Sequence, residues 1–426
     1  MAHLLLLLPS MSYRGEAFLE AANKVGVSLT VAGDAPPDFP GFLKQSAHRF
    51  LTLDLHNHAT AIPTIVEWAK SSPIHVVLGV NDQTAVLASI ISVALGLTAN
   101  SIDSVCAASN KQTMRKLLQQ EGLPCPNFVV VGFDEKPEDI VQRVIFPCVL
   151  KPLTLSGSCG VIRADDQESF QKAFRRIGNL LKTFARPEQD VAGRQILIED
   201  FIPGIEVALE GLLMNGILHP LALFDKPDPL DGPFFEETIY VTPSRLPSDI
   251  QIRIAESLAK AAQAIGLREG PVHGELRIND QNIWVIEIAA RSIGGKCSRM
   301  MEFGTGMTLE EIILLHALGQ ELPSLDLTKS AGGVMMIPIP KEGILERVEG
   351  QDEVQHVPGI EELVITAKPD DHLIPLPEGK RYLGFIVARG THPAEVEASL
   401  RQAHRHLTVV IRPPTARAVR PEVFRV

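Results

Sequence analysis

Between Pro271 and Lys296 the chain reads PVHGELRIND and then QNIWVIEIAARSIGGK. Alternation over Val272 to Arg277 and apolar character over Ile283 to Ile288 predict two strands, with Asp280, Gln281 and Asn282 as a three-residue turn. That loop length sets Glu275 directly across from Glu287. Like charges at opposed strand positions destabilise a hairpin, and burying them unpaired costs more. A bound cation resolves the repulsion, and magnesium takes one or two carboxylates together with substrate phosphates. An exposed hairpin with two solvated acids satisfies the same residues, and a two-residue loop would shift the register and break the pair. On this hairpin alone the two readings stand level.

The composition narrows the setting. A chain of 426 residues has room for two or three domains, and 45% hydrophobic with 21% charged residues is ordinary for a soluble globular protein. The net charge of -11 argues against a general nucleic-acid surface, where affinity rests on Lys and Arg neutralising phosphates. A local basic pocket for a nucleotide stays open. No Lys or Arg precedes Leu4 to Leu8 and Pro9 ends the run, so a buried strand is expected there and not an export signal. Ala85 to Ala99 is shorter than a membrane span and contains Ser89, Ser92 and Gly96, which points to a core helix. Cys106, Cys125, Cys148, Cys159 and Cys297 form no C-x-x-C pair and fit a reducing cytoplasm.

Taken in order, the chain opens with a strand (His3 to Leu8), a loop (Pro9 to Gly15), a helix (Glu16 to Val25) and a second strand (Val27 to Val31). His75 to Val80 is another short strand, and Asp82 stands where the cap of the next helix should be. This is the start of a parallel α/β sheet, whose ligands bind at the carboxyl ends of strands. The Ser10 to Gly15 loop and the Asn81-Asp82 turn are therefore candidate substrate positions, with capping alone the favoured role for Asp82. A domain boundary is placed near Asn100 to Ala108, and an amphipathic helix, capped by Ser109 or Asn110, runs to Gly122.

Strands at Phe128 to Val131 and Pro147 to Lys151 follow, the latter reading VLKP and leading into LTLSGSCGVIRADD. Gly157 and Gly160 make a flexible turn whose amides can converge on an anion, and Lys151 is close enough to meet the same phosphates. Most Gly-Ser turns are only turns. QILIEDFIPGIEVALEG then offers backbone groups at Asp200 to Ile202 for an adenine edge and Glu206 for ribose hydroxyls, or else an ordinary hairpin. A Pro/Gly-rich loop from Phe224 to Ser244 carries Lys226, Glu236, Glu237 and Tyr240 ahead of a helix at Asp249 to Ile265 and suits a cover. Beyond Leu322, GGVMMIPIP, ELVITAK and YLGFIVARG are short strands, with a helix at Pro393 to His406 and no chemistry of their own.

The order of these modest motifs resembles the ATP-grasp superfamily: Lys111 on an opening helix, VLKP, the Gly/Ser loop, Glu199 and Glu206, then Glu275 and Glu287. VHGELR and EIAAR, with GGVMMIPIP and YLGFIVARG behind them, look most like its L-amino-acid ligase branch. The resemblance implies an ATP-grasp fold with an amino-terminal parallel α/β substrate domain (1–105), ATP-grasp lobes (106–325) and a small α+β C-terminal domain (326–426). It implies that Lys111 and Lys151 hold ATP phosphates under a closing loop of Ser156, Gly157, Ser158 and Gly160. Glu199 and the backbone of Phe201 and Ile202 would take the adenine, Glu206 the ribose, and Glu275 and Glu287 magnesium, with manganese as the alternative. Arg291 would face the reacting carboxylate, and His273 or Glu237 would remove the amine proton. His273 shares a face with Glu275 and could equally serve only to pair with it. Many relatives read Glu-x-Asn at the second metal strand, whereas Ala289 here offers no oxygen.

The activity so implied is ATP-dependent joining of an amino acid carboxylate to an amine through an acyl phosphate, in a cytoplasmic protein suggestive of a homodimer, with neither nucleic acid nor membrane as partner. Two rivals stay open: a carboxylase-type or purine-biosynthetic ATP-grasp enzyme, and an ATP-binding regulatory protein without catalysis.

Overall fold

The structure is a computed structural model, and it describes residues 2–9, 12, 14–36, 48–184, 190–322 and 330–414. Strands β1 (His3–Leu7), β2 (Ser28–Gly33), β3 (His48–Thr52) and β4 (Val76–Gly79) form a parallel sheet in the order β3-β2-β1-β4. Its central strand is apolar on both faces: Leu4 and Leu6 enter one buried cluster, Leu5 and Leu7 another. A strand covered on both sides needs such an unbroken run. Helices Gly15–Val25, His58–Ser71 and Asp82–Ala94 belong to this layer. The Asn81 side chain accepts from the Thr84 N–H and Thr84 answers in a capping box. Asn81 rather than Asp82 is therefore the cap, correcting the expectation. Of the Ser10 to Gly15 loop, Ser10, Met11 and Tyr13 lie outside the described residues.

Helix Ile102–Ala108, capped by Ser101, occupies the stretch where a boundary was expected. Asn110 caps the following helix, Lys111–Gln120, by accepting from the Gln112 and Thr113 N–H groups. Next comes an antiparallel sheet, order β5-β8-β6-β7, of β5 (Phe128–Gly132), β6 (Cys148–Pro152), β7 (Ile162–Ala164) and β8 (Gln195–Asp200). Helix Gln167–Thr183 buries Phe170, Phe174 and Ile177 in the cluster under it.

The remaining strands are β9 (Ile205–Met214), β10 (Ile217–Asp225), β11 (Ile239–Thr242), β12 (Gly270–Ile278), β13 (Ile283–Ala289), β14 (Ala331–Ile337), β15 (Gly343–Glu349), β16 (Ile360–Ile365), β17 (His372–Leu373), β18 (Gly384–Gly390) and β19 (Thr408–Arg412). Eight of them make one antiparallel sheet, β13-β12-β9-β10-β11-β14-β18-β16, and β17-β15-β19 a small one. The sheet is continuous across residue 325, because β11 pairs with β14 from Ile239 opposite Met335 to Thr242 opposite Gly332.

Two local expectations are revised. β8 and β9 do not form a hairpin; the chain leaves one sheet at Asp200 and enters another at Ile205, so residues 201–204 are a crossing between sheets. Glu275 does face Glu287, but by a different count. The turn takes in Asn279, whose N–H donates to the Asn282 carbonyl at 3.2 Å. Arg277 then pairs with Trp284 and Leu276 with Val285, and a bulge at Ile286 restores Glu275 opposite Glu287.

Candidate active site

A cavity of about 720 Å³ lies where the three larger sheets meet, walled by the crossing at Phe201 and Ile202, the Ser156 to Ser158 turn and the Glu275/Glu287 hairpin. Its volume suits a small-molecule site.

At its floor is a buried ion triad. Lys111 and Arg115, one helical turn apart, are both buried while the adjacent Lys116 is exposed. Arg115 Nε donates to Glu199 Oε2 at 3.1 Å, and Lys151 is ion-paired with Glu199 Oε1. Burial alone would push the Glu199 carboxyl up, but Arg115 and Lys151 hold it below the usual carboxylate range. Burial outweighs Glu199 at Lys151 and lowers its pKa. The bulge takes part as well, since Arg115 Nη2 donates to the carbonyl of Ile286 at 2.6 Å. Glu199 thus grips two cations, a role not read from its sequence context. Beside it, Phe201 N–H donates to the Pro147 carbonyl at 3.1 Å and the Ile202 carbonyl accepts from Arg277 at 2.7 Å.

On the facing sheet Lys226 occupies the centre of a carboxylate group. Its Nζ lies 2.8 Å from Glu206, 2.6 Å from Glu237 and 3.5 Å from Glu275. Against burial, those carboxylates pull the Lys226 pKa well up. Glu206 gives its other oxygen to Arg277 at 2.7 Å. Glu206, Glu237 and Glu275 each bring an oxygen within 4.8 Å of the others, a donor set that fits a hard divalent cation. Burial and the neighbouring Glu275 raise Glu237 to about 7, whereas Lys226 and His273 overcome burial to keep Glu275 well below its usual value. Glu287 lies apart from that group, with an oxygen 3.7 Å from Lys111 Nζ.

His273 stands between Glu210 and Glu275, with Nδ1 at 3.6 Å from the first and Nε2 at 3.5 Å from the second. The ring is buried, yet the two carboxylates raise its pKa to about 9. The pairing read from strand alternation is therefore present. Arg291 lines the cavity but is held by Asp82, Nε to Oδ1 at 2.9 Å and Nη2 to Oδ2 at 3.3 Å. The first turn of helix Asp82–Ala94 so reaches the hairpin, which is more than the capping favoured from sequence.

The Gly/Ser turn has Gly157, Ser158 and Gly160 at φ of 63°, 56° and 74°, and Lys111 Nζ donates to the Leu155 carbonyl at 2.7 Å. Gly160 N–H is directed elsewhere, to the Pro377 carbonyl at 2.7 Å. Arg176, on the helix behind, forks onto Glu378. The C-terminal segment thus touches the turn, and Thr366, Lys380, Arg381, Tyr382 and Phe385 line the cavity. No sequence signal marked these residues, nor Arg115. Lys226 stood out only as a charge in a Pro/Gly-rich loop.

Comparison with known proteins agrees with this architecture. Residues 144–300 match the ATP-grasp domain family and residues 335–412 the family of L-amino acid ligase C-terminal domain 2. Fold and matched domain place an ATP-grasp domain over residues 144–300. The chain also carries an L-amino acid ligase C-terminal domain. An L-amino acid ligase structure from Bacillus licheniformis is 26% identical, with a TM-score of 0.84 over 97% of this chain and 99% of that one. The alanine–anticapsin ligase of Bacillus subtilis is 26% identical over 233 residues, 52% of this chain and 49% of the relative. An L-arginine-specific L-amino acid ligase of Bacillus subtilis is 21% identical over 330 residues, 76% of this chain and 77% of the relative. The match spans about half the length of the alanine–anticapsin ligases. Among the described residues no helix is long and apolar enough to cross a membrane.

Proposed function

We propose that the chain is an ATP-dependent ligase that joins an amino acid carboxylate to an amine, giving a dipeptide or amino-acid amide with ADP and phosphate. The observation that carries this reading is one cavity lined by Lys111 and Lys151 on one side and Glu275, Glu287 and Arg291 on another, in a chain with an L-amino acid ligase C-terminal domain.

ATP would lie across the crossing at Phe201 and Ile202, with its phosphates toward Lys111, Lys151 and the Ser156, Gly157 and Ser158 turn. Glu275 and Glu287 would hold magnesium, which would neutralise phosphate charge. A substrate carboxylate oxygen attacks the γ-phosphorus, the bond to the β-phosphate bridging oxygen breaks, and ADP leaves with that electron pair. Lys111, Lys151 and Lys226 stabilise the charge that accumulates. The amine nitrogen then attacks the acyl carbon; Arg291, oriented by Asp82, would stabilise the tetrahedral oxyanion, and phosphate departs. Glu237, on the cavity wall, is better placed to take the amine proton than His273, whose two nitrogens already face carboxylates. Because the limit at 325 cuts through the eight-stranded sheet and the limit at 105 through helix Ile102–Ala108, we take 1–105, 106–325 and 326–426 as units of descent rather than independent bodies. A cytoplasmic location accords with free thiols at all five cysteines, and homodimerisation is checked by light scattering.

The test is ADP release by the purified protein with amino acids singly and in pairs, with mass spectrometry of products and hydroxylamine trapping of the acyl phosphate. Hydroxamate from an amino acid is expected, abolished by Glu287→Gln. Bicarbonate-dependent ADP release would instead indicate the carboxylase-type reaction, and ATP binding without amine-dependent turnover the regulatory protein.

A further inference from the structure

The cavity is not polar throughout. Ile293, Cys297, Met336 and Phe385 are buried members of one apolar cluster, with Tyr240 in it and Tyr382 packed against it, and all six line the cavity. Met336, Tyr382 and Phe385 come from strands or turns beyond residue 330. The Tyr382 ring is tilted on Phe385 with centroids 6.5 Å apart. Its hydroxyl oxygen is buried and has no hydrogen-bond partner among the described residues. A buried hydroxyl left unpaired is costly, and a bound acceptor removes that cost. Burial, with Glu237 and Glu236 nearby, raises the phenol pKa well up, so the group remains a donor, and Lys226 is the cation in its field.

We propose that this wall receives the apolar side chain of the amino acid whose carboxylate is activated, and that Tyr382 donates a hydrogen bond to that carboxylate. The inference rests on the ligase reading and names its substrate class: amino acids with uncharged, apolar side chains such as leucine, methionine and phenylalanine. A glutamate or lysine side chain would have to desolvate its charge against Met336 and Phe385. Lys226 lies beside the carboxylate position and offsets the surrounding glutamates there. Tyr382 is thus a specificity-determining residue supplied by the C-terminal domain.

The experiment uses the full chain. Steady-state ADP release is measured with leucine, methionine, phenylalanine, alanine, glutamate and lysine against a fixed amine. Thermal-shift titration of the same amino acids, with a non-hydrolysable ATP analogue present, supplies a reading free of turnover. Expected are kcat/KM values for leucine, methionine or phenylalanine at least about tenfold above those for glutamate and lysine. In Tyr382→Phe, which keeps the ring, KM for the amino acid rises about tenfold while KM for ATP stays within about twofold. Met336→Trp, which fills the wall, shifts preference toward alanine. A wild type that ligates but prefers charged amino acids, or a Tyr382→Phe variant with unchanged amino-acid KM and binding, overturns this inference alone. A wild type with no amino-acid-dependent ADP release overturns the ligase reading and this inference with it.

Discussion

Both carboxylate oxygens of Glu199 are engaged, one by Arg115 and the other by Lys151. Removing one partner from such a buried group leaves uncompensated charge, so Glu199→Gln should destabilise the protein by about 3 kcal/mol, read as a fall in urea midpoint at unchanged slope. A loss below about 1 kcal/mol would mean the triad is solvated in solution. Asp82 poses a different case. Asp82→Asn loosens the hold on Arg291 without touching the phosphate side, and kcat should fall by about tenfold while KM for ATP holds. Equal shifts in both would place Asp82 in nucleotide binding. Glu275 and Glu287 stood out as candidates because strand alternation faces them across a turn, Lys151 because it closes VLKP ahead of the Gly/Ser turn, and Lys111 only through the resemblance. Arg115 was not legible, since its worth depends on a partner 84 residues away. Tyr382 was not either, because an aromatic in an apolar run reads as core until the fold turns its hydroxyl inward.

Among the elements, the parallel start was readable from its unbroken apolar runs, whereas the Glu275 to Glu287 pairing came out as expected only because a longer turn and a bulge offset one another. The bulge at Ile286 was not readable, because alternation counts residues and does not count the extra one a bulge absorbs. The fate of β8 and β9 was equally hidden, as a Pro-Gly turn looks the same whether it closes a hairpin or joins two sheets. Helix Leu309–Ala317 carries its own prediction. His316 Nε2 accepts the Gly270 N–H at 3.2 Å, at the first residue of β12. Burial lowers the His316 pKa below 6.5, outweighing Glu269. With the neutral ring favoured, its contribution is fully present above that value and is lost as pH falls through the lowered one. The stability advantage of wild type over His316→Ala should therefore be larger near about pH 8 than near about pH 5, as measured by urea denaturation. An advantage that grows toward acid would mean the ring folds as imidazolium paired with Glu269.

For the whole molecule, the eight-stranded sheet is the deciding feature. Cutting the chain after residue 322 would strip β14 from β11 and bare an apolar edge containing Ile239 and Val241. Such an edge invites association, so the truncated chain should be recovered in the insoluble fraction or as large species on size exclusion. A soluble monomer would show that the amino-terminal part closes without its carboxyl-terminal neighbour. The cavity itself lies along the seam between sheets, and its walls approach one another through side chains and the short 201–204 crossing. A nucleotide filling that seam would behave as a removable cross-link. At a hundredfold excess over its dissociation constant, binding confined to the folded state adds about 2.7 kcal/mol, and here that increment would fall on the joint between sheets rather than on either one. Empty protein would then melt in separable steps and loaded protein in a single one, so the cell's ATP supply would set how firmly the halves of this molecule are fastened together.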